Sequence, residues 1–309
     1  MLSQPYDHPL WIAAPLCVRE ACFSLPAVRA IADKRMVTLV CHETQAYFWR
    51  AADLGEVRPI GRKADKKAAM AALTGASEIL LWEAGLLADA TLKAGITKTI
   101  GPASPELAKH LTHPIPQAPK PGPMEHAVRR YLRIAAELGA DPLDRRFFEP
   151  IPRPEGELET VVLSPASPFG SHFEWPLERW SELVAELADL KPWFQILAPD
   201  SRVSAWAETQ GLPVVPEEQI PATLAGCHVM VAADSPWPHV AAAFGATCAV
   251  LYGPGEPVLH RPLGQQHLVI RRKAECSPCF AAKCPMDLRC QNDLQVDRVV
   301  EALRGLISA

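Results

Sequence analysis

Short apolar runs alternate with longer amphipathic segments along this chain, and the alternation occurs in two series. The first series occupies residues 10–95, and the second begins at Val161. Strands and helices that alternate in this way form parallel sheets, because each helix carries the chain back to the start of the next strand. The chain is therefore predicted to be an α/β protein with two similar halves.

The two series predict specific elements. In the first, strands are expected at residues 10–15, 36–42 and 78–82, and helices at 21–32, 66–73 and 85–94. In the second, strands are expected at residues 160–163, 194–198, 229–232 and 248–252, and helices at 176–187, 202–210, 239–244 and 296–307. Ligands of such sheets bind beyond the carboxyl ends of the strands, so the loops that follow the strands are the candidate functional segments.

A proline-rich segment separates the two series. Residues 113–123 read HPIPQAPKPGP, and no regular element is expected there because proline lacks an N–H and fixes φ. A helix is predicted at residues 126–138, and more prolines follow it. The predicted organisation is an N-terminal domain at residues 1–122, an interdomain helix and linker at 123–156, and a C-terminal domain at 157–309.

Composition excludes several classes of protein. The 309 residues carry a formal net charge of −4, which gives no basic footprint for nucleic acid. No apolar run approaches the roughly 18 residues of a membrane span. The N-terminus shows no basic stretch ahead of an apolar run, so no secretory signal is expected and a cytoplasmic location is predicted.

Four cysteines, Cys276, Cys279, Cys284 and Cys290, fall within fifteen residues near the C-terminus. Thiolates at such spacings converge on a tetrahedral metal, which makes a structural zinc or iron ion one interpretation. Two disulfides are a second interpretation, which a reducing compartment weakens. A third is a loop marker without metal chemistry, and a zinc ribbon for nucleic acid is disfavoured by the modest number of basic neighbours.

A second motif lies at residues 231–245, where an apolar strand ends at Asp234 and Ser235 and a helix begins near Pro238 and His239. The N-terminus of a helix attracts a diphosphate through free N–H groups and a partial positive charge. Asp234 or Ser235 could equally serve only as the helix cap.

These motifs, in this order, resemble glycosyltransferase family 9, the ADP-heptose:lipopolysaccharide heptosyltransferases. The resemblance rests on the Asp234 to His239 turn, on the segment AVLYGPGE at residues 249–256, and on the cysteine segment that begins CSPC. It implies a GT-B fold, with an acceptor-binding and a nucleotide-sugar-binding Rossmann-like domain that face each other across a cleft.

The resemblance also implies a reaction, the inverting transfer of a heptose or related sugar. The donor would be a nucleotide sugar, ADP-heptose in the first place, and the acceptor a lipopolysaccharide core or other glycolipid at the inner membrane surface. No cofactor is required for transfer. Glu20 stands where the family has its catalytic Asp and is the expected base. The other expected contacts are Asp234 to the sugar, Ser235 and His239 at the diphosphate turn, Ser167 to a phosphate oxygen, Asp200 to the ribose and Glu83 to the acceptor.

Three departures from the family pattern favour an alternative function. Glu20 is one methylene longer than Asp, the family's phosphate-binding Lys is absent where His172 and Glu174 stand, and Pro236 replaces a Gly. Glu174 is expected to repel a diphosphate. The alternative is a GT-B-like protein that binds a nucleotide sugar or a protein partner without efficient transfer.

Overall fold

A computed structural model describes residues 8–117, 122–153, 160–190, 192–281 and 283–307. The chain divides into two compact units, Met1–Glu149 and Pro150–Ala309. Each unit holds its own parallel sheet with helices, as the alternation of elements predicts. Among the described residues, no helix combines the length and the apolar character that crossing a bilayer would require.

The sheet of the N-terminal unit has, among the described residues, six parallel strands in the order β3-β2-β1-β4-β5-β6. The strands are β1 (Leu10–Ala13), β2 (Val37–His42), β3 (Gly55–Ile60), β4 (Glu78–Leu81), β5 (Lys98–Pro102) and β6 (His113–Ile115). The helices are α1 (Val18–Ala32), α2 (Ala46–Ala52), α3 (Lys66–Ala72), α4 (Leu86–Ala94) and α5 (Val128–Glu137), with 3₁₀ turns at Glu43–Gln45, Ala108–His110 and Arg145–Phe148.

The core of this unit forms around β1. Trp11 pairs in register with Thr38 of β2 and with Ile79 of β4, and all four residues of β1 are buried. Strands covered on both faces are apolar throughout rather than alternating, and for that reason β1 and β2 are visible in the sequence.

The prediction that residues 113–123 form no regular element is wrong at its start. His113–Ile115 is the strand β6, which pairs with β5 with Pro114 opposite Gly101. A proline is tolerated because β6 lies at the edge of the sheet, where an N–H need not be donated to a neighbour on the outer side. The rest of that proline-rich segment includes residues 118–121, which lie outside the described residues.

The C-terminal unit has, among its described residues, five parallel strands in the order β11-β10-β9-β7-β8. The strands are β7 (Thr160–Ser164), β8 (Trp193–Ile196), β9 (Val229–Ala233), β10 (Thr247–Tyr252) and β11 (Leu268–Arg271). The helices are α6 (Leu177–Glu186), α7 (Ser201–Thr209), α8 (Ile220–Gly226), α9 (Trp237–Ala243), α10 (Pro257–His260), α11 (Arg289–Asn292) and α12 (Val296–Ile307), with 3₁₀ turns at Ser171–Phe173, Ala188–Leu190 and Glu217–Gln219.

Both sheets share one topology. An isolated bridge joins Ile196 of β8 to Val214, so a single residue stands where the N-terminal sheet has its outermost strand β3. The strand order then reverses beside the first strand of each unit, between β1 and β4 in one and between β7 and β9 in the other. Such reversals open a crevice at the carboxyl ends of the strands, and ligands of doubly wound sheets bind there.

Helix α5, which is predicted to belong to an interdomain segment, packs on α1 within the N-terminal unit. The predicted boundary between residues 156 and 157 lies outside the described residues. The three-part domain assignment therefore stays a prediction.

Candidate functional site

The carboxylate of Glu20 lies beside β1, where the strand order of the N-terminal sheet reverses. Glu20 lies in the first turn of α1, directly after β1. Its Oε2 accepts a hydrogen bond from the Tyr131 hydroxyl at 3.0 Å and another from Nη2 of Arg130, both on α5. Arg19 Nη2 lies 3.6 Å from the other oxygen, Oε1. Glu20 is therefore more than a first-turn acid that a helix dipole favours, because side chains 110 residues away bind it.

Tyr131 is a fixed hydrogen-bond donor at this site. It is 2% exposed, and its ring meets the edge of Trp82, which follows β4, with 5.0 Å between ring centroids. Burial in the first place, and then the Glu20 carboxylate, raise the pKa of Tyr131, so its hydroxyl keeps its proton. Arg130 Nη2 also donates to the Tyr131 hydroxyl at 2.8 Å. The sequence offers no local signal for this pairing.

Glu83 lies at the same edge of the N-terminal sheet, after β4. Its Oε1 accepts a hydrogen bond from the Leu16 N–H at 2.7 Å, which ties the loop after β4 to the loop after β1. Glu83 itself is exposed. The two carboxylates expected from the sequence in this unit thus belong to adjacent loops of one reversal.

A basic loop beyond β3 was not predicted. Residues 62–67 include four basic side chains, of which Arg62 and Lys63 are exposed just after the carboxyl end of the strand. Glu43 fixes the loop, because its carboxylate accepts a hydrogen bond from the Arg62 N–H at 2.9 Å. The signal in the sequence is the run GRKADKK, which follows an edge strand too polar to be recognised as one.

In the C-terminal unit, three loops meet at the reversal. Ser167, after β7, donates its hydroxyl to the Asp234 carbonyl, after β9, at 2.6 Å. Asp234 is 3% exposed. A Cβ at Gly255, after β10, would lie 2.2 Å from Oδ2 of Asp234, so this glycine lets the third loop approach the carboxylate. The structure brings Ser167 and Asp234 together as adjacent parts of one small polar surface.

The turn into α9 differs from the expected diphosphate seat. The helix begins at Trp237, and its N-cap residue is Pro236, which makes no side-chain cap bond, rather than Asp234 or Ser235. Pro238 has no N–H, and the N–H of His239 donates to the Pro236 carbonyl at 3.2 Å. A seven-residue helix whose first turn lacks these two donors is a weaker anion seat than the sequence suggests.

Two buried side chains belong to the same turn. His239 is 2% exposed and Ser235 is fully buried. The Ser235 hydroxyl has no hydrogen-bond partner among the described residues. Because a buried hydroxyl without a partner costs free energy, Ser235 is the group here with unused capacity to bind a ligand.

Glu174 does not present an uncompensated negative charge, contrary to the expectation from the sequence. Its Oε1 accepts a hydrogen bond from the Ser167 N–H at 2.9 Å, and its Oε2 binds Nη2 of Arg202 at 2.6 Å. Asp200 caps α7 through the Val203 N–H at 2.9 Å and lies 3.6 Å from Arg202. The cap accounts for one Asp200 oxygen and leaves the ribose assignment a prediction.

The four-cysteine loop is attached to the turn after β10. Ser277 donates its hydroxyl to the Gly253 carbonyl at 2.6 Å, and the Cys279 N–H donates to the Pro254 carbonyl at 3.1 Å. His172, which stands where the family has its Lys, bonds through its Nε2 to the Ala281 carbonyl at 2.7 Å. The loop thus supports the segment that approaches Asp234.

The cysteines of this loop are free thiols that line one cavity of about 70 Å³. Burial first, and then the neighbouring Cys276, Cys284 and Cys279, raise the pKa of Cys290. Within the described ranges, no group of three or more His, Cys, Asp or Glu side chains is arranged to hold a metal ion. The metal-ligand assignment therefore stays a prediction, and the disulfide interpretation finds no support.

Comparison with known proteins places this chain in a family. Residues 117–289, more than half of the chain, match the family described as glycosyltransferase family 9 (heptosyltransferase). Lipopolysaccharide heptosyltransferase 1 of Escherichia coli K12 is 29% identical over 171 residues, which are 49% of this chain and 52% of that protein. The match thus spans about half the length of this curated relative.

Solved structures resemble the whole chain. The E. coli heptosyltransferase WaaC with ADP has a TM-score of 0.75 at 19% identity, over 96% of this chain and 99% of that one. E. coli ADP-heptose lipopolysaccharide heptosyltransferase II has a TM-score of 0.73 at 18% identity, over 97% and 99%. These likenesses confirm the α/β GT-B fold class.

Proposed function

Because the chain belongs to glycosyltransferase family 9, we propose that it transfers a heptose or related sugar from a nucleotide donor, with ADP-heptose as the first candidate. The acceptor is a lipopolysaccharide core or another surface glycan. The observation that carries the proposal is the meeting of Ser167, Asp234 and Gly255 at the reversal of the C-terminal sheet. WaaC, whose fold this chain shares, was solved with ADP.

In the proposed reaction Glu20 is the base. The acceptor hydroxyl gives its proton to the Glu20 carboxylate as its oxygen forms a bond to the anomeric carbon. The bond from that carbon to the diphosphate oxygen breaks, and the nucleoside diphosphate leaves with the electron pair from the opposite face, so the configuration inverts. Asp234 orients the sugar, and Ser167, Ser235 and His239 form the surface on the donor side.

The electrostatics of the N-terminal unit support an anionic acceptor. Arg62 and Lys63 are exposed beyond β3, at the carboxyl edge that also carries Glu20 and Glu83. A cluster of cations attracts phosphate or carboxylate groups, and a glycolipid core presents such groups. We place this acceptor at the inner membrane surface, with the protein acting from the cytoplasm.

A binding and turnover experiment tests the proposal. The purified chain is incubated with ADP, UDP or GDP and its melting temperature is measured, and the ADP-sugar is then offered with a glycolipid core acceptor. ADP should raise the melting temperature most, and sugar transfer should follow. The absence of stabilisation by all three nucleotides would contradict a nucleotide-sugar transferase of any specificity.

One observation favours the alternative, a GT-B-like protein that binds without efficient transfer. Two arginines at the carboxyl edge of the C-terminal sheet are already paired with carboxylates, Arg202 with Glu174 and Arg271 with Glu256 at 3.6 Å. Cations already paired neutralise a leaving diphosphate less well. Stabilisation by a nucleotide sugar without turnover, in the wild type and in Glu20→Gln alike, would establish this alternative.

A structural metal in the four-cysteine loop is a separate proposal. The four thiols line one cavity and are the donors that zinc and iron prefer, although their side chains would have to turn toward a common point. Elemental analysis of reduced protein should find about one zinc or iron per chain. The double variant Cys276→Ser/Cys279→Ser should lose it and the control Cys227→Ser should keep it. A metal-free wild type would remove the site.

A further inference from the structure

We propose that Tyr131 and Arg130 are positioning residues for the transfer reaction, which hold Glu20 through Oε2 and leave Oε1 to take the acceptor proton. The inference rests on the proposed function. It assigns to α5 a role in setting the geometry of the base.

The two donors act on one oxygen of the carboxylate. The Tyr131 hydroxyl donates to Oε2 at 3.0 Å, and Nη2 of Arg130 donates to the same atom. Arg19 Nη2 stands 3.6 Å from Oε1, beyond hydrogen-bond distance. The hydrogen bonds to Oε2 therefore fix the orientation of the Glu20 carboxylate, and Oε1 is left to accept a proton.

The donors are themselves held in place. Tyr131 is buried against Trp82, which follows β4, so its hydroxyl is fixed relative to the sheet. The Arg130 guanidinium lies 4.7 Å above the Tyr131 ring and bonds to its hydroxyl. A group is positioned well only when its neighbours are positioned too, and this arrangement meets that condition.

The two hydrogen bonds to Oε2 compensate for one departure from the family pattern, the longer Glu20 in place of an Asp. A glutamate has one more rotatable bond than an aspartate, so an unrestrained Glu20 would spread its oxygens over several positions. A displacement of about 1 Å from the productive position costs on the order of a hundredfold in rate. Two hydrogen bonds to one oxygen remove that freedom.

Kinetics of the full-length protein test the inference. Tyr131→Phe removes only the hydroxyl and keeps the buried ring, and Arg130→Gln removes the charge. Each should lower kcat by about tenfold to a hundredfold, while KM for the nucleotide sugar stays within about twofold. Arg130→Lys should recover part of the loss. The melting temperatures of all variants are measured alongside.

The chain offers a matched control. Arg133 lies on the same helix, is about as exposed as Arg130 and pairs with Glu125 instead. Arg133→Gln should leave kcat unchanged. If Tyr131→Phe and Arg130→Gln also keep the wild-type kcat while Glu20→Gln is inactive, the positioning role is overturned and the transferase assignment stands.

A crystal structure gives a readout that needs no turnover. Glu20 should occupy one side-chain conformation in the wild type, with Oε2 toward Tyr131, and should rotate away or occupy several in Tyr131→Phe. The same single conformation in both proteins would overturn the inference even if the wild type proved inactive toward every donor.

Discussion

The two sheet reversals share a topology and differ in how their polar groups are held. In the N-terminal unit the Glu20 carboxylate is held by side chains of a helix that follows more than a hundred residues later. In the C-terminal unit, hydrogen bonds to backbone atoms and a glycine contact join loops that leave neighbouring strands. A catalytic base requires that one carboxylate be positioned to within a fraction of an ångström. A ligand-binding surface requires instead that the backbones of several loops lie close together. The same fold meets both needs.

The strongest test of this contrast is Glu20→Gln. An amide cannot accept the acceptor proton, so kcat should fall by on the order of a thousandfold. Stabilisation by the nucleotide should stay at the wild-type level, because that surface belongs to the other unit. Steady-state kinetics and a thermal shift measure the two effects, and transfer at a near wild-type rate would break the comparison.

Gly255→Ala tests whether the close approach of the Gly255 backbone to Asp234 is needed for donor binding. A Cβ placed 2.2 Å from Asp234 Oδ2 must displace one of the two loops. The free energy of unfolding should fall by about 1–3 kcal/mol, and affinity for the nucleotide sugar should fall by about tenfold.

The control for this variant is Gly305→Ala. Gly305 lies in α12 with no atom close to its Cβ position, and alanine there should raise the free energy of unfolding by about 0.5–1 kcal/mol. Chemical denaturation and calorimetric titration measure both proteins. Wild-type affinity in Gly255→Ala would mean that the close approach does not set Asp234.

Ser235→Ala should separate stability from binding. Removing a buried hydroxyl that has no partner among the described residues should raise the free energy of unfolding by about 1 kcal/mol. Affinity for the nucleotide sugar should fall by about tenfold, because the hydroxyl is proposed to bind it. Wild-type or higher affinity in Ser235→Ala would exclude Ser235 from the donor surface.

The smallest effect is expected from Asp200→Ala, for which Asp65→Ala is the matched control. Both aspartates cap a helix, Asp200 through the Val203 N–H at 2.9 Å and Asp65 through the Ala68 N–H at 2.8 Å. Each variant should lose about 1 kcal/mol of stability. Only Asp200→Ala should also weaken binding of the nucleotide, and equal affinities in the two variants would leave Asp200 as a cap alone.

Among the described strands, the sequence predicted β1, β2, β4, β7, β8, β9 and β10 and missed β3, β5, β6 and β11. Residues of β1, β2, β7 and β10 are buried on both sides and form apolar runs. The edge strand β3 reads GEVRPI and is largely accessible, so it carries no such run. The pattern depends on burial, so it does not reveal a polar strand such as β3.

The same limit applies to the site. Asp234 and Ser167 lie in local motifs after predicted strands, and the sheet topology brings their loops to one edge. Tyr131 and Arg130 lie on a helix whose packing against α1 no local pattern encodes. The role of Glu174 was also misjudged, because Arg202, which pairs with it, is remote in sequence.

The single bridge at Val214 has a consequence for how copies of this protein behave in a crowded solution. An outermost strand with a long row of free backbone groups invites pairing with a second chain, and proteins limit that hazard by keeping such strands short or covered. Here β8 has four residues, and its last, Ile196, bonds on the outer side to Pro213 and Val215. The β8 edge of the C-terminal sheet thus offers few free backbone groups for aggregation through strand addition.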